Sequence, residues 1–360
     1  MRVVVAMSGG VDSSVAAALM AEAGHDVVGL SMQLYDQRAT EEDGAPAFGS
    51  CCSLDDLQDA RRVAHQLGFR HYIVNFEREF KATVVDNFVR EYSEGRTPIP
   101  CVHCNADLKF STLAERAAGL DAAAVATGHY ARVVFDEDQE RYRLMRGVDA
   151  GKDQSYFLFT LTQDQLAHAL FPVGHLTKAE VRAHAMRLGL SVADKPDSHE
   201  ICFIPDGNTA KFVARNSDRV PASGEIVDAE GRVLGEHAGV HHFTVGQRKG
   251  LGVSVGSPLY VLKLQPVDQR VIVGPREALS ARELTAERVN WIAGAPPATP
   301  ARVTARIRHR HQDAPATVVA DGAATAHLTF DDPQVAITPG QAVVFYDGLD
   351  VVGGGWIASR

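Results

Sequence analysis

The sequence predicts an α/β fold, a doubly wound parallel sheet, followed by a small β-rich domain and a C-terminal β-barrel. Three observations carry this expectation. Strand-like and helix-like segments alternate through the first part of the chain, glycine and turn residues become dense past Cys202, and the last stretch is a series of short strands. At 360 residues the chain exceeds what one core normally encloses, so several domains are expected, with spans 1–203, 204–280 and 281–360.

The elements follow in order. "RVVVAM" is a continuous β-branched run and predicts the first strand. "DSSVAAALMAEAG" has helical spacing and closes on glycine, "DVVGLSMQL" is a second apolar run, and "SLDDLQDARRVAHQLG" is a helix opened by Ser53. "HYIVNF" supplies a third strand, "REFKATVVDNFVREYSEG" a long amphipathic helix, "RTPIPCVHCNADLKF" a loop and helix, and "AAAVATGH" a fourth strand. Strands that alternate with helices pair in parallel. A hairpin on an acidic turn is expected between Arg132 and Arg146, then helices over "TQDQLAHAL" and "TKAEVRAHAMRLG". "ASGEIVDAEGRVLGEHAG" and "TVGQRKGLGVSVGSP" put short strands between glycine-rich turns. From Ala281, "RVNWI", "ARVTARIRHR", "ATAHLTF" and "QAVVFYDG" read as the strands of a compact barrel.

Apolar residues at 45% and charged residues at 22% are ordinary for a folded soluble chain. The N-terminus lacks the pattern of a signal peptide, and no apolar run reaches the roughly 20 residues that span a bilayer, so a cytoplasmic protein with no membrane partner is expected. The net charge of −9 does not by itself point to nucleic acid. A local exception is "RVTARIRHRHQ", where Arg302, Arg306, Arg308 and Arg310 alternate with small residues and with His309 and His311. That segment is either a solvated strand face or a basic patch.

"SGGVDSS", residues 8–14, joins the first strand to the first helix. Gly9 and Gly10 let the backbone turn tightly, and Ser8, Ser13 and Ser14 offer hydroxyls beside the unpaired amides of a helix N-terminus, which is where an anion binds. An ordinary strand-to-helix turn with a serine cap is the plain alternative. The string is neither the Walker pattern nor the dinucleotide fingerprint. A nucleotide in such a fold lies at the carboxyl ends of the strands, where Met32 and Thr127 to His129 are placed.

The five cysteines are an odd set in a large chain, which argues against a disulfide framework. Cys101 and Cys104 form a C-x-x-C pair without the second pair that structural zinc needs, and only His103 and the distant Cys202 could contribute. A redox pair and a single nucleophile remain. The nucleophile reading has a thiolate stabilised by a helix starting near Asn105 and by Lys109. Cys202, between Ile201 and Phe203, is either a small core residue or a second reactive thiol. Cys51 and Cys52 are read as structural.

"SGGVDSS" resembles the pyrophosphate loop of the N-type ATP pyrophosphatases, and Asp12 is then expected near a Mg²⁺ ion carrying pyrophosphate. "AMSGGVDSS", "TPIPCVHCNADLKF", "ATGHYAR", "GKDQSYFL", "DSHEICFIPDG", "TVGQRKGLG" and "RIRHRHQ" together resemble the tRNA-specific 2-thiouridylases over nearly the whole chain. The resemblance implies ATP-dependent thiolation of the wobble uridine in tRNAs for Lys, Glu and Gln. Adenylation would turn the C2 oxygen into a leaving group, which sulfur from a cysteine persulfide displaces.

By position it implies Cys104 as nucleophile and Cys202 as persulfide carrier. It implies an ATP site of Ala6, Met7, Ser8, Gly9, Gly10, Val11, Asp12, Ser13, Met32 and Gly128. It places Ile99, Pro100 and Cys101 at the target base, and Lys152, Asp153, Gln154, Arg308 and His309 against tRNA. A cysteine desulfurase or sulfur-relay protein is the implied donor. Many members carry Asp where Cys101 stands, "TPNP" is here "TPIP", and "RYRQ" is here "RHRH", so His309 takes the tyrosine's place. Cys101, Cys104 and Cys202 are also a candidate ligand set for a [4Fe–4S] cluster with one open iron. An argininosuccinate synthase would share the phosphate loop but not the two thiols. A non-enzymatic RNA-binding protein would not need the loop intact.

Overall fold

The computed structural model describes residues 1–36, 53–197, 201–204, 206–217, 222–253, 255–297 and 300–360. Cys51 and Cys52 lie outside the described residues, as do Ser198, His199 and Glu200.

The chain opens β1 (Arg2–Ala6), α1 (Val11–Glu22), β2 (Asp26–Gln33), α2 (Leu54–Leu67) and β3 (Arg70–Asn75). Two helical runs follow, 77–93 and 100–118, each holding a stretch of wide i→i+5 turns, Lys81–Val85 and Cys104–Thr112. β4 (Ala124–Ala126) comes next, then the hairpin β5 (Ala131–Asp136) and β6 (Arg141–Arg146), a short helix Gln163–Ala167, β7 (Ala169–Leu170) and the helix Lys178–Arg187. "TQDQLAHAL" is therefore not all helix. It unwinds after Ala167, and Ala169–Leu170 pairs with β4 as a fifth parallel strand.

The sheet order is β3-β2-β1-β4-β7, every pairing parallel, with consecutive strands winding outward on both sides of β1. The gap between β1 and β4 is where the order reverses, and a crevice forms there in such folds. The valines of β1 explain its central place. Val3 and Val5 face one core with Val15, Ala60 and Val181, while Val4 faces the other with Leu30, Phe80, Phe88 and Phe203. All three are fully buried, and each contributes roughly 1.5–3 kcal/mol of hydrophobic stabilisation.

The helix Thr209–Asn216 leads into β8 (Gly224–Val227), β9 (Val233–His237), β10 (Tyr260–Gln265) and β11 (Arg270–Gly274), a four-stranded sheet ordered β10-β11-β8-β9. The barrel is β12 (Ser280–Trp291), β13 (Ala301–Arg306), β14 (Ala314–Asp321), β15 (Thr325–Val335), β16 (Ala342–Asp347) and β17 (Asp350–Ser359), closed by β12 pairing with β17. The strand expected over "ARVTARIRHR" stops at Arg306, and Arg308 to Arg310 form a turn closed by His311 N–H on the Arg308 carbonyl at 2.9 Å.

The 131–146 hairpin joins the barrel rather than the first sheet. β6 pairs antiparallel with β17 at Met145 and Asp350, and Arg143 forms an ion pair with Asp350. The eight strands thus form one hydrogen-bonded sheet across residues far apart in the sequence.

Candidate functional site

The phosphate loop lies at the carboxyl end of β1, beside the sheet's reversal point. Gly10 is the residue before α1, and no side chain caps the first turn of that helix among the described residues. α2 differs: Ser53 and Asp56 cap it reciprocally. Ser13 instead accepts from the Ser8 amide at 3.2 Å and donates to the Gly10 carbonyl at 3.1 Å, and Ser14 donates to the same carbonyl at 2.9 Å. The loop is braced by its own hydroxyls while the amides at its mouth keep an anion-binding geometry.

Two glycines are sterically required. Gly9 has φ +75°, and a Cβ there would lie 2.2 Å from the Asp56 carbonyl oxygen. At Gly128, just past β4, a Cβ would lie 2.6 Å from the Ser13 amide nitrogen, so this residue seats directly on the start of α1. Met32 and Met7 are buried at the ends of β2 and β1. His129 is buried, bonded through Nδ1 to the Thr127 hydroxyl at 2.7 Å, and burial holds its pKa well below the ordinary imidazole value.

Asp12 is gripped from two sides. Lys178 Nζ reaches its carboxylate oxygens at 2.7 and 2.8 Å, and the Tyr130 hydroxyl donates to Oδ1 at 2.7 Å. Burial and the bond to Asp12 both raise the Tyr130 pKa, so the phenol stays protonated. Lys178 also contacts Asp197 at 2.7 Å, and Asp197 takes Lys152 at 2.6 Å and Arg182 at 3.5 Å. Lys195 donates to the Gly9 carbonyl at 3.0 Å and to Asp56 and Asp59 at 2.6 Å each. Residues 195–197 therefore tie the approach to Cys202 to both flanks of the phosphate loop. Tyr130, Lys178, Lys195 and Asp197 were missed in the sequence. Tyr130 sits inside "ATGHYAR", but the lysines carry no periodic signal.

Asp197 yields a pH prediction. Burial pushes its pKa up, yet the bonds from Lys152 and Lys178 outweigh that and hold it at about 2, against an unfolded value of 3.8. A depressed folded pKa stabilises above the unfolded value and is lost as pH falls through the folded one. Asp197→Asn should cost on the order of 2 kcal/mol near neutrality. The gap from wild type in urea unfolding should shrink between pH 4 and 2, and a gap that does not change with pH would remove this account.

The cysteine segment is built differently from expectation. The helix begins at Pro100, not near Asn105, so Cys101 is in its first turn and exposed, while Cys104 lies one turn further and is half-buried. Proline at the first helical position explains the early start. Asn105 is buried, donates to the Phe157 carbonyl at 3.2 Å and accepts from Lys109 at 3.0 Å. His103 stacks on Trp356 of β17 with ring centres 4.9 Å apart. The Thr97 amide donates to the Pro339 carbonyl at 2.9 Å, and Gln341 Nε2 to the Thr97 carbonyl at 3.0 Å. The barrel thereby fixes the loop and the turn that carry Cys104.

Cys104 and Cys202 pack against the same apolar cluster, which includes Phe80, Phe88 and Phe203. Cys101 is not part of it. Among the described residues no three His, Cys, Asp or Glu side chains are grouped as a metal would need. Cys101 is exposed while Cys104 and Cys202 are half-buried on the apolar cluster, so among the described residues the three are not grouped as the ligand set of a [4Fe–4S] cluster.

Of the residues placed against tRNA, Ile99 and Pro100 are buried, Lys152 is held by Asp197, and Arg308 and His309 are exposed in the turn after β13. The buried Asp153 faces away from solvent. Its carboxylate accepts from the Gly147 and Ser155 amides at 3.2 and 3.1 Å and lies 3.5 Å from both Arg146 and Arg306, which share Asp313 and flank the Tyr346 ring. Asp153, expected against tRNA, ties residues 146–155 to the strand that leads into the turn holding Arg308. Gln154 likewise points inward, accepting from the Tyr130 amide at 3.0 Å. His309 leans on Phe157 with ring centres 4.6 Å apart, and desolvation, then Arg306 and Arg310, lower its pKa.

The chain matches three family models: a tRNA methyl transferase HUP domain over residues 1–206, a tRNA methyl transferase PRC-barrel domain over 211–275, and an aminomethyltransferase beta-barrel domain over 281–357. It is 54% identical to a tRNA-specific 2-thiouridylase of Geotalea uraniireducens, covering 99% of this chain and 94% of that one. It is 53% identical to a protein of the same description from Koribacter versatilis over 99% and 98%, and 51% identical to one from Geobacter metallireducens over 99% and 96%.

Proposed function

The chain belongs to the tRNA-specific 2-thiouridylase family and is a tRNA sulfurtransferase, and on that premise we propose that it adenylates the C2 oxygen of a wobble uridine with ATP and replaces it with persulfide sulfur. The observation that carries this reading is the pairing of a side-chain-uncapped helix N-terminus at residues 8–14 with two thiols on one apolar cluster. Each half serves one step.

In the first step the α1 amides and Lys178 bind the phosphates, and the uridine oxygen attacks the α-phosphorus with loss of pyrophosphate. One carboxylate, Asp12, together with phosphate oxygens is a donor set that suits Mg²⁺. The ion would supply charge neutralisation on the departing pyrophosphate. In the second step Cys202 carries the sulfane sulfur as a persulfide. Cys104 thiolate attacks the Cys202 sulfur, a Cys104–Cys202 disulfide forms, and the released sulfide sulfur bonds to C2 as AMP leaves. Two thiols are oxidised and one sulfur is reduced, so a reductant must reopen the disulfide before the next turnover. The donor is a cysteine desulfurase or a relay protein. On this reading span 1–203 is the catalytic domain, 204–280 the small β-rich domain and 281–360 the tRNA-contacting barrel.

Nucleoside mass spectrometry of tRNA for Lys, Glu or Gln, incubated with ATP and a persulfide donor, tests the scheme. It requires 2-thiouridine with AMP and pyrophosphate released in equal amounts. Release of ADP and phosphate would exclude adenylation.

A further inference from the structure

The motif "TVGQRKGLG" is not used by any step above. Its loop lies in the β-rich part between β9 and β10, and its two cations, Arg248 and Lys249, are exposed. Neither has a carboxylate partner among the described residues. Other arginines of the chain do: Arg302 pairs with Asp331, Arg306 with Asp313, and Arg96 with Glu91.

The loop is also held in place. The Gln247 side chain accepts from the Thr244 amide at 3.0 Å and donates to the Lys249 carbonyl at 2.9 Å, so one carboxamide closes the turn that presents both cations. The Gly246 amide donates to the Val261 carbonyl at 2.8 Å, and the Val261 amide to the Gln247 carbonyl at 2.9 Å. On its outer side Gly246 meets the barrel: a Cβ there would lie 2.9 Å from the Ala336 Cβ. The residue before Ala336 is Val335, whose carbonyl accepts from Arg308 at 3.2 Å. Arg248 is thus two residues from a contact that adjoins the Arg308 guanidinium, a reach of roughly 7 Å along the chain. Arg308 itself is bonded there to a neutral carbonyl, so its charge is not cancelled, and Arg310 is exposed in the same turn.

We propose that Arg248 and Lys249 form, with Arg308 and Arg310, a two-loop clamp on the phosphodiester backbone of the tRNA substrate. The inference rests on the tRNA-thiolating reading and adds a binding surface from the β-rich part. Two rigid loops from separate sheets present four uncompensated cations on a chain whose net charge is −9. Local uncancelled charge of that kind is how an acidic protein binds a polyanion, and contacts to phosphate fix register without reading bases.

Fluorescence anisotropy with labelled tRNA, titrated over a salt series, tests the clamp. The double variant Arg248→Ala/Lys249→Ala should bind about tenfold more weakly near physiological salt, and the slope of log affinity against log salt should fall by roughly 1 to 2. The loss should be the same on target and non-target tRNA, while KM for ATP and kcat at saturating tRNA stay at wild-type values. The charge-preserving Arg248→Lys/Lys249→Arg variant should bind like wild type, which separates charge from folding. Unchanged affinity and slope in the alanine variant, or a loss confined to target tRNA, would overturn the clamp. If wild type fails to bind tRNA at all, the functional reading falls with it; if wild type binds and the alanine variant matches it, the clamp alone falls.

Discussion

Replacing Cys104 with serine is expected to stop 2-thiouridine formation, lowering turnover by roughly 10³-fold or more with little change in tRNA affinity. Cys104 is inside a continuous helix, half-buried and one residue from the anchored Asn105, so the smaller oxygen fits without moving the backbone. What is lost is chemistry. A serine hydroxyl is not ionised near neutrality and cannot form a disulfide with Cys202. Cys202→Ser should cause a loss of the same order, and the double variant should be no worse than either, because two residues in one step are not additive. Adenylation should survive all three, visible as pyrophosphate released when tRNA is added. A Cys104→Ser enzyme that forms 2-thiouridine at the wild-type rate would refute its assignment as nucleophile.

Lys178→Met should strike the other half. The ammonium lies within 2.8 Å of Asp12 and is a positive group beside the phosphate loop, so its removal takes charge stabilisation from the departing pyrophosphate. Losses of roughly 10²–10³-fold in the adenylation rate are expected for one such preorganised group. Single-turnover pyrophosphate release without a sulfur donor is the measurement, since it isolates the first step. Tyr130→Phe should lose less, because it removes one of the three bonds to Asp12 and leaves the charge pair. Equal pyrophosphate rates in wild type and Lys178→Met would assign this lysine to structure alone.

Much of the fold was legible because strands buried on both faces read as unbroken β-branched runs, as in β1, and because glycine and serine mark the loop at residues 8–14. The site was legible only in part. The C-x-x-C pair and the resemblance singled out Cys104, but the proline that starts its helix moved the N-terminus from near Asn105 onto Cys101. Asp153 was expected against tRNA, and nothing in "GKDQSY" reports that two arginines from distant segments converge on it. Long-range ion pairs have no period and no local composition. β7 was lost for a related reason: two residues added to a sheet edge cannot outweigh a helical pattern that precedes them.

The pairing of β6 with β17 has a consequence for how this chain can be cut or inherited. Ending it before β12 would not release an intact catalytic half. It would leave β6 with unpaired backbone amides and carbonyls along an exposed edge, beside the uncovered Phe135, and such edges recruit strands from other molecules. The C-terminal segment is therefore not a detachable accessory. A shortened gene product is expected to aggregate rather than persist as a weaker enzyme, so loss of residues 280–360 should behave as loss of the whole.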